Sequence, residues 1–308
     1  MVKSAAVSNM AHKAKKALSG AYANLYWRST SANFVSVYEE DWDNLIILDA
    51  CRYDIFEEEY LGPGQLQMKY SKAPYSPAFF QKNFAEKKCH DLVSITANPH
   101  HRLQLDDTQF HSVYHLWKTH WNDEIKNVHP EAVKQVSTTA NASHPQKRLM
   151  IHFMQPHAPF IGPWGQENIG IHVGNEHCRQ DAMHGSYDVE ITDPYSLAAQ
   201  GEVKRSELER AYRENLNIAL ESVRELLSLL DGRTVVTADH GELFGERAWP
   251  YVSKQYQHPP ILAEKLLQIP WLVIPSETRR NVTTEEPDGP RDETDVHVEQ
   301  RLKHLGYT

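Results

Sequence analysis

Residues 44–54 read NLIILDACRYD. Four apolar residues, Leu45 to Leu48, run straight into Asp49, and Cys51, Arg52 and Asp54 follow at once. A continuous apolar run without polar alternation predicts a strand covered on both faces, as in a parallel sheet. Similar runs occupy 91–96, 111–116, 148–154, 233–238 and 269–274. Helical patterns lie between them, at roughly 77–88, 129–139 and 203–230. In the last, Leu208, Ala211, Tyr212, Leu216, Ala219, Val223, Leu226, Leu227 and Leu230 recur at helical spacing, and Asp231-Gly232 stops the run. Strands alternating with helices predict an α/β fold: a doubly wound, mostly parallel sheet flanked by helices.

The chain has 308 residues, 40% of them hydrophobic, enough for one large α/β domain or two small ones. Its formal net charge of -9 leaves no electrostatic footprint for nucleic acid. Charge is nevertheless uneven. The first 28 residues carry Lys3, Lys13, Lys15, Lys16 and Arg28 and no acid, whereas 277–299 are dense in Glu and Asp. The 3 cysteines, Cys51, Cys89 and Cys178, are too scattered for a disulfide framework or a paired-cysteine zinc site, which leads us to expect a cytoplasmic protein. No stretch reaches the roughly 18 apolar residues of a membrane span. A basic amphipathic pattern at 8–27 reads as a surface helix, with peripheral membrane association as the alternative. The organisation expected is an N-terminal helical segment (1–40), a catalytic domain (41–276) with an insertion at about 155–202, and an acidic tail (277–308) with a short helical pattern near 295–305.

In open α/β sheets ligands bind beyond the carboxyl ends of the strands, so the residues after each run matter most. Asp49 ends the first. Gln155-Pro156-His157-Ala158-Pro159 follows the run 148–154, Asp239-His240-Gly241-Glu242 follows 233–238, and Gln257-His258-Pro259-Pro260 precedes 269–274. One acid at a strand end is commonly a helix cap. Two acids and several histidines on one rim instead suit a divalent cation, with carboxylates favouring Mg, Ca or Mn and imidazole drawing the preference toward Mn or Zn.

Taken together, IILDACRYD, IHFMQPHAPF (151–160), TVVTADHGELFGER (234–247) and QHPPILAEKLLQIPWLVI (257–274) resemble, in order, the motifs of the alkaline phosphatase superfamily in its sulfatase-like branch. The terminal RLKHLGYT is similar to the end segment of many such hydrolases. The resemblance implies one divalent metal ion held by Asp49, Asp239 and His240 together with a nucleophilic side chain. It also implies a covalent intermediate that is hydrolysed or passed to an acceptor. The nucleophile is expected at a helix start, in the stretch Ser71-Lys72-Ala73-Pro74-Tyr75-Ser76-Pro77. Pro77 suits the first turn with Ser76 at the N-cap, and a helix N-terminus favours a bound anion. Ser76 is therefore the expected nucleophile, with Ser71 and Tyr75 as alternatives. His157 and His258 are expected to touch the transferred group or protonate its leaving oxygen.

The histidine at 152 reads as structural, Asp54 as a cap or salt bridge, Arg52 as a partner of Asp54 or of substrate, and Glu242 as a support to the metal ligands. Asn98 reads as a substrate donor or a turn residue, and Lys254 as solvated or substrate-facing. The Cys/Ser-x-Pro-x-Arg motif of sulfatases that make formylglycine is missing from the chain. The expected function is thus a metal-dependent phosphoric ester hydrolase or transferase acting on a phosphodiester or a phosphorylated glycan or glycolipid. The alternatives are a sulfatase-type sulfuric ester hydrolase using unmodified serine, and a non-catalytic member that binds an anionic glycan.

Overall fold

A computed structural model describes residues 34–171, 174–185, 193–248 and 253–287. Eight strands form the central sheet: β1 (Phe34–Val35), β2 (Asn44–Asp49), β3 (Gln65–Ser71), β4 (Cys89–Thr96), β5 (Phe110–His115), β8 (Arg148–Pro156), β9 (Thr234–Ala238) and β12 (Gln268–Ile274). Two small antiparallel pairs fill the remaining numbers, β6 (Trp121–Asn122) with β7 (Asn127–Val128) and β10 (Leu243–Arg247) with β11 (Lys254–Gln257). The sheet order is β1-β3-β12-β9-β2-β8-β4-β5. Neighbours from β9 to β5 are all parallel, and β12 runs against both β9 and β3. The doubly wound, mostly parallel α/β architecture read from the apolar runs is therefore present.

Burial explains the runs. Every residue of β2 is buried, and Leu45, Ile46, Ile47 and Leu48 have no exposed surface. Each such side chain contributes roughly 1.5–3 kcal/mol on leaving water. Strand β3 escaped the reading because its sequence, QLQMKYS, is polar and mostly exposed. Its apolar residues Leu66, Met68 and Tyr70 alternate with polar ones, and none of the three is buried.

Helices cover both faces. The longest, Arg205–Leu229, buries Leu208, Ala211, Tyr212, Asn215, Leu216, Ala219, Val223 and Leu226, and packs on the helix Pro130–Ser143 and on β8. The helix Ser76–Phe84 buries Phe79, Phe80, Asn83 and Phe84 along one side. The insertion after β8 holds three short helices, Pro163–Asn168, Gly174–His184 and Pro194–Gln200.

Residues on the far side of both expected bounds pack with the sheet. Phe34–Val35 pairs in parallel with β3, and the 3-10 turn Val37–Glu39 buries Val37, so the sheet begins before residue 41 rather than after a helical segment ending at 40. The start of the expected acidic tail is pinned beneath the sheet by Arg279 on Asp41 and Asp43 and by Lys147 on the carbonyl of Thr283. The amphipathic pattern at 8–27, the helical pattern near 295–305 and the terminal RLKHLGYT lie outside the described residues.

Candidate active site

Strands β2, β8 and β9 are adjacent and parallel, so their carboxyl ends open on one rim. Asp49, His157 and Asp239-His240 arrive there from three different strands. Strand β3 runs the same way and ends on Ser71, five residues before Ser76. Side chains separated by up to 191 positions in sequence are thus set on one edge by topology alone.

The four expected ligands converge. Ser76 Oγ donates to Asp239 Oδ2 at 2.7 Å and lies 3.3 Å from Asp49 Oδ2 and 3.3 Å from His240 Nε2. Asp49, Ser76, Asp239 and His240 are all buried. Ser76 is the first helical residue, and Tyr75 occupies the N-cap without a side-chain cap bond. This corrects the expectation of Ser76 as the cap: its hydroxyl is not used on the helix and faces the carboxylates instead. Ser71 is excluded as the attacking group, because its hydroxyl donates to the Asp239 carbonyl at 2.5 Å and accepts from the Ala73 N–H.

Each member of the cluster is aimed by a second contact. Asp239 Oδ1 accepts from the N–H groups of Ala50 and His240, at 3.0 and 2.9 Å, which leaves Oδ2 for Ser76. His240 Nδ1 lies 2.8 Å from the Gly241 carbonyl, an acceptor only, so Nδ1 carries the proton and Nε2 presents its lone pair to the cluster. Asn98 Oδ1 accepts from His100 N–H at 2.8 Å, so its amide nitrogen is the group that donates to Asp49 Oδ2 at 2.6 Å. Gly241 could carry no side chain, since a Cβ there would sit 2.0 Å from the Lys265 carbonyl oxygen.

Electrostatically the cluster is short of positive charge. The ion pairs to Asp49 and Asp239 among the described residues come from His152 and His240, both buried, and from no lysine or arginine. Burial pushes His240 below the usual imidazole range, which keeps it neutral. Burial alone would raise the Asp49 carboxyl, but the His152 ring and the field of His157 outweigh it and hold Asp49 below the usual carboxylate range. Two buried carboxylates facing a neutral imidazole are costly unless a cation joins them.

A divalent ion fits these donors. Ligand atoms around a tetrahedral ion with bonds of about 2.1 Å stand about 3.4 Å apart; three separations here are 3.3 Å, while Ser76 and Asp239 are closer, at the 2.7 Å of a hydrogen bond. His152 adds an orphan: it has no exposed surface, neither ring nitrogen has a hydrogen-bond partner, and Nε2 stands 3.5 Å from Asp49 Oδ2. Asp49, His152 and Asp239 offer ligand atoms all within 4.8 Å of one another. The expectation that His152 is only structural therefore changes. A buried mid-strand histidine gives no sequence signal beyond its alternation with Met150 and Met154.

Above the cluster lies a cavity of about 270 Å³ whose lining includes Asp49, Ser76, Asn98, His157, Tyr195 and His258. His157 donates from Nδ1 to the Ala158 carbonyl, which leaves Nε2 available. Its ring stands 5.1 Å from that of His258, which is 4.6 Å from that of His240. Burial would lower His258, but the Glu242 carboxylate 3.3 Å from Nδ1 wins and pushes it up to about 9. Glu242, with no exposed surface, thus supports a histidine of the cavity rather than a ligand of the cluster.

Several residues turn elsewhere. Arg52 forms a two-pronged pair with Asp54 and reaches Glu246, so it does not face the cavity. Asp54 is also bound by Lys265. Cys51 is fully buried and burial pushes its thiol well up, so it is no nucleophile. Lys254 is exposed on β11. His100, His177 and Cys178, unassigned by sequence, line the cavity.

Comparison with protein-family models and with curated proteins finds no match. Solved structures do match. The soluble domain of lipooligosaccharide phosphoethanolamine transferase A from Neisseria meningitidis is similar at a TM-score of 0.42 and 8% identity, over 75% of this chain and 75% of that one. The C-terminal periplasmic domain of EcEptC from Escherichia coli, in complex with Zn, is similar at 0.41 and 14%, over 80% and 76%. A protein in the alkaline phosphatase superfamily from Vibrio parahaemolyticus is similar at 0.38 and 11%, over 83% of this chain and 64% of that one. The identities are low and the TM-scores lie below 0.5, so the reading of the site stands on this chain's own residues.

Proposed function

We propose that this protein is a metal-dependent phosphodiester hydrolase or transferase in which Ser76 Oγ is the nucleophile. The observation that supports this best is Ser76 itself. A buried hydroxyl with no capping role, 2.7 Å from one carboxylate and 3.3 Å from another, sits at the base of a cavity. Asp49, Asp239, His240 and Ser76 would hold one divalent ion, Zn or Mn by the mixture of carboxylate and imidazole, with His152 adjacent. The ion supplies Lewis acidity, lowering the pKa of the hydroxyl and polarising the ester oxygen.

The protein's own groups do the rest. Ser76 Oγ would give up its proton on metal uptake, and its 2.7 Å contact with Asp239 Oδ2 would hold it in place to attack phosphorus. Asn98 and the backbone N–H groups on Asp239 keep both carboxylates from rotating. His258, charged through Glu242, donates to a phosphoryl oxygen or to the departing alkoxide, and His157 stands beside it with its ring 5.1 Å away. Water or an acceptor hydroxyl then releases the serine ester.

Among the described residues no lysine or arginine lines the cavity. A singly charged diester suits that balance better than a dianionic monoester, which calls for further positive charge. A sulfate ester is also singly charged, so sulfuric ester hydrolysis is the second reading. A panel of bis-p-nitrophenyl phosphate, p-nitrophenyl phosphate and p-nitrophenyl sulfate, each with added Zn or Mn, tests the proposal. Diester turnover that Ser76→Ala abolishes supports it; turnover of the sulfate alone overturns it in favour of the second reading. No turnover of any ester with any metal favours an anionic-glycan-binding protein of the same fold.

No helix among the described residues is long and apolar enough to cross a membrane. The cytoplasmic location expected from the scattered cysteines is unsupported, the similar EcEptC domain being periplasmic, and cell fractionation tests it.

A further inference from the structure

The long helix Arg205–Leu229 carries an asparagine on its buried face where the pattern asks for an apolar side chain. Asn215 has no exposed surface. Its Nδ2 donates to the carbonyls of Pro156, His157 and Pro159, at 3.1, 3.0 and 3.3 Å, and its Oδ1 accepts from Ile161 N–H at 2.9 Å. One amide thus gathers four backbone groups of the turn that leaves β8. A buried amide side chain is expensive unless fully paired, and here pairing to one short turn is complete. The turn is also anchored by His157 N–H on the Asp49 carbonyl, at 3.2 Å. The His157 backbone is therefore fixed at both its polar groups, the N–H by the end of β2 and the carbonyl by Asn215.

Three residues earlier, Tyr212 treats the neighbouring turn the same way. Its hydroxyl donates to the Ala50 carbonyl at 2.7 Å and accepts from Arg52 N–H at 3.0 Å. Positions three apart lie on one helix face, so a single helix grips the exit turns of two adjacent central strands. Tyr212 is tied to the turn that follows Asp49, whereas Asn215 is tied to the turn that carries His157.

We propose that Asn215 is a positioning residue for His157, setting where the imidazole enters the cavity. This rests on the reading of His157 as a group that touches the transferred phosphoryl. Asn215 acts through the loop backbone and touches none of Asp49, Ser76, Asp239 or His240. Its loss leaves metal uptake intact and reduces turnover.

A double-mutant cycle on the full chain tests this. Asn215→Ala should lower kcat/KM on bis-p-nitrophenyl phosphate by about 10- to 100-fold, the usual effect of removing a supporting hydrogen bond. Zn uptake should remain at the wild-type stoichiometry. In a His157→Ala background the same substitution should have almost no further effect, because the two act as one unit. A full additional loss in that background overturns the proposal, as would a change in Zn affinity equal to the change in turnover. The imidazole C–H resonance of His157, assigned by its absence in His157→Ala, should move in Asn215→Ala. A resonance that stays in place overturns the proposal even if wild-type protein turns over no ester, so failure of the functional reading and failure of this one are distinct. Should Asn215→Ala not fold, the near-isosteric Asn215→Asp, which keeps the acceptor but not the donor, gives the same readouts.

Discussion

Strand β2 begins beside one buried aspartate and ends on another, and the two are treated oppositely. Asp43 and Asp49 are each 2% exposed. Asp43 is saturated: Arg279 Nε donates at 2.5 Å, Arg233 N–H at 2.7 Å and Arg280 N–H at 3.4 Å. Asp49 has an amide, a hydroxyl and an unpartnered imidazole near it, and no guanidinium or ammonium. Equal burial with unequal compensation separates a clamp from a site. The amino edge of the sheet uses charge to fasten the chain's later segment. The carboxyl edge keeps charge open for a cation.

The largest effect that would break this contrast is on turnover. Ser76→Ala should reduce diester cleavage by roughly 10³-fold or more while Zn still binds through the remaining ligands; a steady-state assay beside a metal titration checks both. Next is stability. Asp43→Asn should destabilise the protein by about 2–3 kcal/mol, because charged hydrogen bonds are lost. Asp49→Asn should cost less than that in metal-free protein, since no guanidinium or ammonium pairs with Asp49 among the described residues. Urea unfolding with and without Zn separates them: the ion should stabilise wild type and Asp43→Asn but not Asp49→Asn.

A finer test concerns aim. Asn98→Ala should weaken Zn binding by about 10- to 100-fold, as loss of a donor to a ligating carboxylate does elsewhere. Calorimetric titration measures it, and unchanged affinity would remove Asn98 from the support of Asp49.

The smallest effect is a pH dependence away from the site. His101 has no exposed surface and packs against Phe80 and Phe110, and burial, reinforced by His115, pushes it down to about 3. Its folded pKa lies below the unfolded value near 6.5, so the unfolded chain binds the extra proton between those limits. That stability is present above about pH 6.5 and is lost as pH falls toward 3, amounting to at most about 2 kcal/mol at pH 5. Urea unfolding at pH 7.5 and pH 5 should show a smaller difference in His101→Gln than in wild type.

Much of this was legible because burial leaves a simple mark. Continuous apolar runs gave the strands from Asn44–Asp49 to Gln268–Ile274 within a few residues. Asp49 and Asp239-His240 stood out only together: one acid after such a run is commonly a cap, whereas two acids and a histidine on one rim suit a cation. What stayed hidden has physical causes. Strand β3 shows water one face, so its apolar content is diluted. The antiparallel pair β10–β11 lies in stretches without a long apolar run. Asn98 and Asn215 act by orienting carboxylates and carbonyls, and nothing about an isolated asparagine says which partner the fold will supply. His152 lies within a strand, and its nearness to Asp49 follows from pairing between β2 and β8 rather than from local sequence.

The central claim is that the carboxyl end of β2 holds a cation which the amino end does not need. Titrating Zn into metal-stripped wild type, Asp49→Asn and Asp43→Asn by calorimetry, with elemental analysis of each dialysed sample, tests it most directly. The account predicts one equivalent in wild type and in Asp43→Asn and none in Asp49→Asn. No uptake in wild type, or equal uptake in all three, would contradict it.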